Sequence, residues 1–150
     1  TIFPALIAFI PMLMDTGGNS GSQSSVTIIR GISLGDIEFG DILRVLWKEF
    51  RVALYCSTVL AAVNFLKLWL VDYLIFDNFD PKKQIPEIII VCLTLLITVI
   101  VAKIVGCTLP MLAKKIGFDP AVMASPFITT IVDAVSLVIY FNIASVILGV

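Results

Sequence analysis

Four long apolar stretches divide the chain, at about residues 2–29, 45–71, 85–112 and 121–148. Each exceeds the ~20 helical residues that cross the hydrocarbon core of a bilayer, so each predicts a tilted transmembrane helix. The apolar residues run on without the alternation of a barrel strand, which argues against a membrane β-barrel. No internal repeat is visible, so an inverted-repeat transporter is not indicated. The expected fold is an all-α membrane protein, one transmembrane unit over residues 1–150. At the entry to the second stretch, "ILRVLWKEFR" sets charged and apolar residues at helical spacing. It predicts a short amphipathic helix at the membrane interface, ahead of the second span. "NFDP" and "GFDP" predict turns, because the residue before a proline is disfavoured in a helix.

Composition narrows the function. Hydrophobic residues make up 59% and charged residues 14%, against about 25% charged in an ordinary soluble domain. The net charge of −1 supplies no global field, and no nucleic-acid partner is expected. The absence of histidine excludes a His-ligated zinc or haem and any Ser-His or Cys-His catalytic pair. No GxxxxGKS or GxxxxGKT stretch is present to bind ATP phosphates, and no enzyme is expected. Cys56, Cys92 and Cys107 form no CxxC pair and read as small buried hydrophobes. The chain starts at Thr1 without a methionine or a basic flank, so a fragment is expected rather than a signal peptide.

Lysine and arginine set the expected orientation. Arg30, Arg44, Lys48 and Arg51 lie between the first stretch and the cleanest part of the second, which begins after Arg51, and Lys114 and Lys115 follow the third. The other loop sets Lys82 and Lys83 against Asp72, Asp77, Asp80 and Glu87. The first side is therefore expected to be cytoplasmic, with the C-terminus outside a multi-pass plasma-membrane protein.

Ionisable groups at membrane depth are costly and usually face a bundle interior or a wet path. Lys67 and Lys103 have stems long enough to snorkel to an interface. Asp133 has no such stem and lies near the middle of its stretch. Ser125, Thr129, Ser136 and Tyr140 recur around it every three or four residues, on one helical face. That polar stripe reads as a lining; the plainer alternative is a carboxyl buried and hydrogen-bonded to a neighbouring helix.

"PMLMDTGGNSGSQSS" brings a second polar face to the first stretch. Asp15, Asn19, Gln23 and Thr27 recur every four residues, with Ser22 on the same side. All offer oxygen, the ligand atom of hard cations such as Mg²⁺ and Ca²⁺. Gly17 and Gly21 are spaced as GxxxG, with Ser25 one turn on, which suits close helix packing in a membrane. Pro4, Pro11 and the Gly17-Gly18 pair predict a bent or locally opened helix.

"FIPMLMDTGGNSGSQSSVTIIRG", "ILRVLWKEF" and "DPAVMASPFITTIVDAVSLVIYF" occur here in collinear order. Together they resemble the MgtE family of magnesium channels, relatives of the animal magnesium solute carriers, over the whole chain. The resemblance implies a five-helix membrane domain, here helices two to five, working as a homodimer with the ion path at the dimer interface. It implies cytosolic Mg²⁺-sensing domains that this sequence lacks. It aligns Asp133 with the family's pore aspartate, Thr129 and Ser125 with oxygen-bearing positions near the ion, and Asn19 with the signature asparagine. Asp15, Gln23, Ser22 and Ser136 are candidate pore lining beside them. Asp119 matches a cytoplasmic-side acid that helps hold regulatory Mg²⁺ in relatives. An acid at Asp15 is not expected of every relative.

One Asp133 carries a single charge against the two of Mg²⁺, so a two-fold axis through the path would match the ion. The expected activity is Mg²⁺ flow into the cytoplasm down its electrochemical gradient, the ion largely hydrated, with weakened closure where the sensor domains are missing. The alternative is a proton-coupled or exchange transporter of divalent cations, using Asp133 and Asp15. An intramembrane aspartyl protease with the same two acids is disfavoured, because neither a YD nor a GxGD motif surrounds them.

Overall fold

The computed structural model describes residues 6–75, 81–123 and 125–149. Four helices carry the fold: α1 (Ile10–Leu34), α2 (Ile42–Ile75), α3 (Pro81–Lys115) and α4 (Ser125–Leu148). No strand occurs among the described residues. They alternate in direction, so the turns after α1 and α3 lie at one end, where the Lys115 ammonium sits 4.1 Å from the centre of the Phe39 ring.

Local chemistry fixes where each helix stops. Pro11 falls in the first turn of α1, where a missing N–H costs nothing. Gly35 ends the helix in a left-handed conformation (φ 78°), its N–H donating to Ile32 O while Asp36 N–H donates to Gly31 O. Gly117 (φ 86°) does the same after α3. These caps lie beyond the apolar residues, so α1 runs to Leu34 and α3 to Lys115, past the limits that hydropathy suggests. A single 3-10 turn, Pro120–Met123, precedes α4 and takes up the start of the predicted fourth stretch. The expected opening of α1 at Gly17-Gly18 does not occur: the helix is continuous there, packed on two sides, and the chain turns earlier, at residues 8–9.

The short amphipathic helix expected at "ILRVLWKEFR" is also not separate. Residues 42–51 are the first turns of α2, which has no glycine or proline anywhere along its 34 residues to break it. At 1.5 Å per residue α2 is about 51 Å long, longer than the hydrocarbon core is thick.

Three segments are long and apolar enough to cross a membrane, Phe39–Val71, Gln84–Lys115 and Pro126–Leu148. α1 has the length but is more polar, and its position explains how that is tolerated. α3 packs against all three other helices, and α1 packs against both α3 and α4. Leu13, Leu68, Ile90, Leu95 and Tyr140 form an apolar cluster at one end of the bundle. Ile28, Ile32, Val45, Cys107 and Met111 form one at the other, with Ala102, Ile128 and Val132 as a third cluster. The polar middle of α1 therefore lies against protein along one face.

Candidate functional site

The site is built on the contact of α1 with α3 and α4, and glycine makes that contact close. A Cβ on Gly17 would lie 2.7 Å from Thr98 Cγ2 and 3.0 Å from both Ser136 Oγ and Val132 Cγ1. A Cβ on Gly21 would lie 3.0 Å from Ile128 Cγ2 and 3.1 Å from the Ala102 carbonyl. Gly106 of α3 faces the Gly21 backbone with no room for any side chain. Ser25, one turn on, is fully buried. Small residues thus let three backbones meet where larger ones would hold them apart.

Gly18, which the GxxxG spacing does not single out, faces the polar stripe of α4. Its Cβ position is 3.1 Å from Thr129 Cγ2 and 3.5 Å from Asp133 Oδ1. Thr129 and Asp133 are half-buried at this edge of the α1–α4 contact. The Thr129 hydroxyl donates to the Pro126 carbonyl at 3.0 Å, which leaves its lone pairs free to accept. Among the described residues Asp133 has no ion-pair partner. Asp15 lies about one turn before Gly18 on α1.

The predicted stripe is not open along its whole length. Ser136 is buried against Gly17 and donates to the Val132 carbonyl at 2.6 Å, so it belongs to the helix contact rather than to a lining. Tyr140 is buried too, its hydroxyl donating to Leu6 O at 2.7 Å. The stripe faces one way, but α1 and the residues before it cover this half. Ser125 opens α4, and its side chain lies outside the described residues.

Asp15, Asn19 and Gln23 are exposed along α1. With Thr16, Ser20 and Lys103 they line a cavity of about 560 Å³, closed on the α2 side by Tyr55, Cys56, Val59 and Leu60. Asp133 is not on that lining, so the two predicted polar faces flank α1 rather than converge. Ser22 is half-buried between the flanks. Asp119 stands apart, exposed before the 3-10 turn, where its Oδ1 accepts the Ala121 N–H at 2.9 Å. No three of the Asp, Glu and Cys side chains among the described residues converge as a metal cage.

Lys103 does not snorkel. It is buried, with its Nζ 3.7 Å from Glu49 Oε2 and donating to Ser24 Oγ at 3.2 Å, while Ser24 donates to the same Glu49 oxygen at 2.7 Å. This network ties α1, α2 and α3 together, and sequence reading missed it. The available signal was an acid and a base of opposite sign in consecutive antiparallel helices.

Comparison with known proteins follows the same outline. A family model described as a divalent cation transporter, MgtE, matches residues 10–143. The magnesium transporter MgtE of Thermus thermophilus is 34% identical over 144 residues, 96% of this chain and 30% of its own length. That of Bacillus subtilis is 33% identical over 145 residues, 94% of this chain and 29% of its own. That of Enterococcus faecalis is 34% identical over 142 residues, 93% of this chain and 29% of its own. The chain therefore spans under a third of the length of these relatives.

Proposed function

The chain belongs to the MgtE family of divalent cation transporters, and from that premise we propose that it carries Mg²⁺ through a path between two copies of itself, with Asp133 holding the ion. The observation that carries this reading is the pairing of Gly18 with Asp133. The bare backbone of α1 lets that helix come close to a half-buried carboxylate that no lysine or arginine neutralises among the described residues. A carboxylate in a membrane span is expensive unless a cation or water meets it.

One chain offers Asp133 and, on the other flank of α1, Asp15. A two-fold axis beside the α1–α4 edge brings two Asp133 carboxylates together and balances the two charges of Mg²⁺. Mg²⁺ gives up water reluctantly, so the carboxylates and Thr129 hold it through its own water shell, while Asn19 lines the polar cavity on the other flank of α1. Binding of that kind is weak enough for the ion to leave again. The membrane potential drives it toward the cytoplasm, with roughly 4.6 kcal/mol gained per 100 mV by a divalent ion. The protein is a plasma-membrane channel and not an enzyme. Asp119 holds a regulatory Mg²⁺ together with the cytosolic sensing domains that the family resemblance implies.

A second reading, an exchanger that carries protons on Asp15 and Asp133, draws on the presence of both acids within packed helices, Asp15 in α1 and Asp133 in α4. Asp133→Asn and Asp133→Ala, tested for Mg²⁺ uptake in bacteria lacking their own Mg²⁺ transporters, separate a role for Asp133 from none. Uptake falling by about tenfold or more supports the proposal. Normal uptake with both substitutions removes it.

A further inference from the structure

The buried network of Ser24, Glu49 and Lys103 has no part in the mechanism above, yet it borders two cavities. Lys103 lines the cavity of about 560 Å³ under Asp15, Asn19 and Gln23. Glu49, 3.7 Å away, lines another of about 520 Å³ with Thr27, Asp36, Asp41 and Arg44. Gln23 and Thr27 are successive turns of α1, linked by the Thr27 hydroxyl donating to the Gln23 carbonyl at 2.9 Å. The ion pair thus stands where the two cavities meet in the groove between α1 and α2.

Charge at this point matters to a cation. Among the described residues, Lys103 is the only basic side chain on the first cavity, and Asp15 the only acidic one. Alone, the lysine would cancel the aspartate. Glu49 accepts that positive charge from behind, and Ser24 bridges the pair. With Glu49 in place, the cavity retains the single negative charge of Asp15.

We propose that Glu49 is a positioning residue for cation transport: it holds Lys103 neutralised and drawn back, so that the cavity beneath Asp15, Asn19 and Gln23 attracts a divalent cation. The inference rests on the reading that the chain transports such an ion. A purely structural tie between helices would change the amount of folded protein but not the affinity of each copy. The electrostatic role changes apparent affinity, and does so with a sign set by the charge left in the cavity.

The test uses the complete reading frame, expressed in bacteria lacking their own Mg²⁺ transporters. Initial Mg²⁺ uptake is measured against external Mg²⁺ and normalised to protein in the membrane. Glu49→Gln leaves Lys103 unpaired, and KM rises roughly tenfold, as expected for one charge acting on a divalent ion in a partly wet cavity. The maximal rate per copy changes little. Combining Glu49→Gln with Lys103→Met restores the KM of the unmodified protein, and Lys103→Met alone lowers it. A KM unmoved by Glu49→Gln overturns the proposal, as does a double variant that behaves like Glu49→Gln. Should Glu49→Gln fail to reach the membrane, Lys103→Met decides: a lower KM supports the role, and an unchanged or higher one overturns it. Absence of uptake by the unmodified protein defeats the transport reading and this inference together. Uptake by the unmodified protein with a flat response at Glu49 defeats this inference alone.

Discussion

Glycine at positions 17, 18 and 21 decides how near α1 comes to its neighbours, and the three are not equivalent. At Gly17 a new methyl would meet Thr98, Ser136 and Val132, side chains of two different helices that cannot all retreat. Gly17→Ala is expected to cost about 1–3 kcal/mol, the usual range for overpacking. Pairing it with Thr98→Ser removes the contact at 2.7 Å and recovers part of that loss, which thermal unfolding in detergent can measure. At Gly18 the nearest atom is 3.1 Å away on Thr129, a side chain at the edge of the contact. Gly18→Ala is therefore expected to leave stability within about 1 kcal/mol of the original. It sets a methyl 3.5 Å from Asp133 Oδ1, so Mg²⁺ uptake is expected to fall more than stability does. Equal stability losses at the two glycines would contradict this division.

At the scale of elements, the helices were legible in the sequence because apolar runs of span length have few alternatives. Their ends were not, since Gly35 and Gly117 stop the helices by backbone conformation, beyond the last apolar residue. The placing of Thr129 and Asp133 on one face of α4 was legible from spacing. The covering of Ser136 and Tyr140 depends on where α1 crosses α4, which periodicity along one helix does not contain. The Glu49–Lys103 pair depends on the rotation of α2 and α3 about their axes, and that too is set by packing. Glu49 is 7% exposed and Lys103 8%, so removing either partner leaves a buried charge unmatched. Glu49→Gln and Lys103→Met are each expected to cost about 3 kcal/mol. The double variant should cost less than the two singles combined, because each single then shares the same loss. Strict additivity in a double-mutant cycle on thermal stability would show that the pair does not tie α2 to α3.

The whole molecule has one well-packed face on α1 and two polar flanks. On one flank Asp133 and Thr129 stand beside Gly18, and on the other Asp15, Asn19 and Gln23 line a cavity. In the proposed dimer, a two-fold axis beside Asp133 would make a path with two carboxylates, and such a path needs only the ion's own gradient. The most direct measurement is Mg²⁺ flux into liposomes holding the purified protein, with an inside-negative potential and no gradient of any other transported ion. A path of this kind gives flux that grows with the potential and is abolished by Asp133→Asn. Flux that persists undiminished with Asp133→Asn, or that appears only when a proton gradient is imposed, would contradict it.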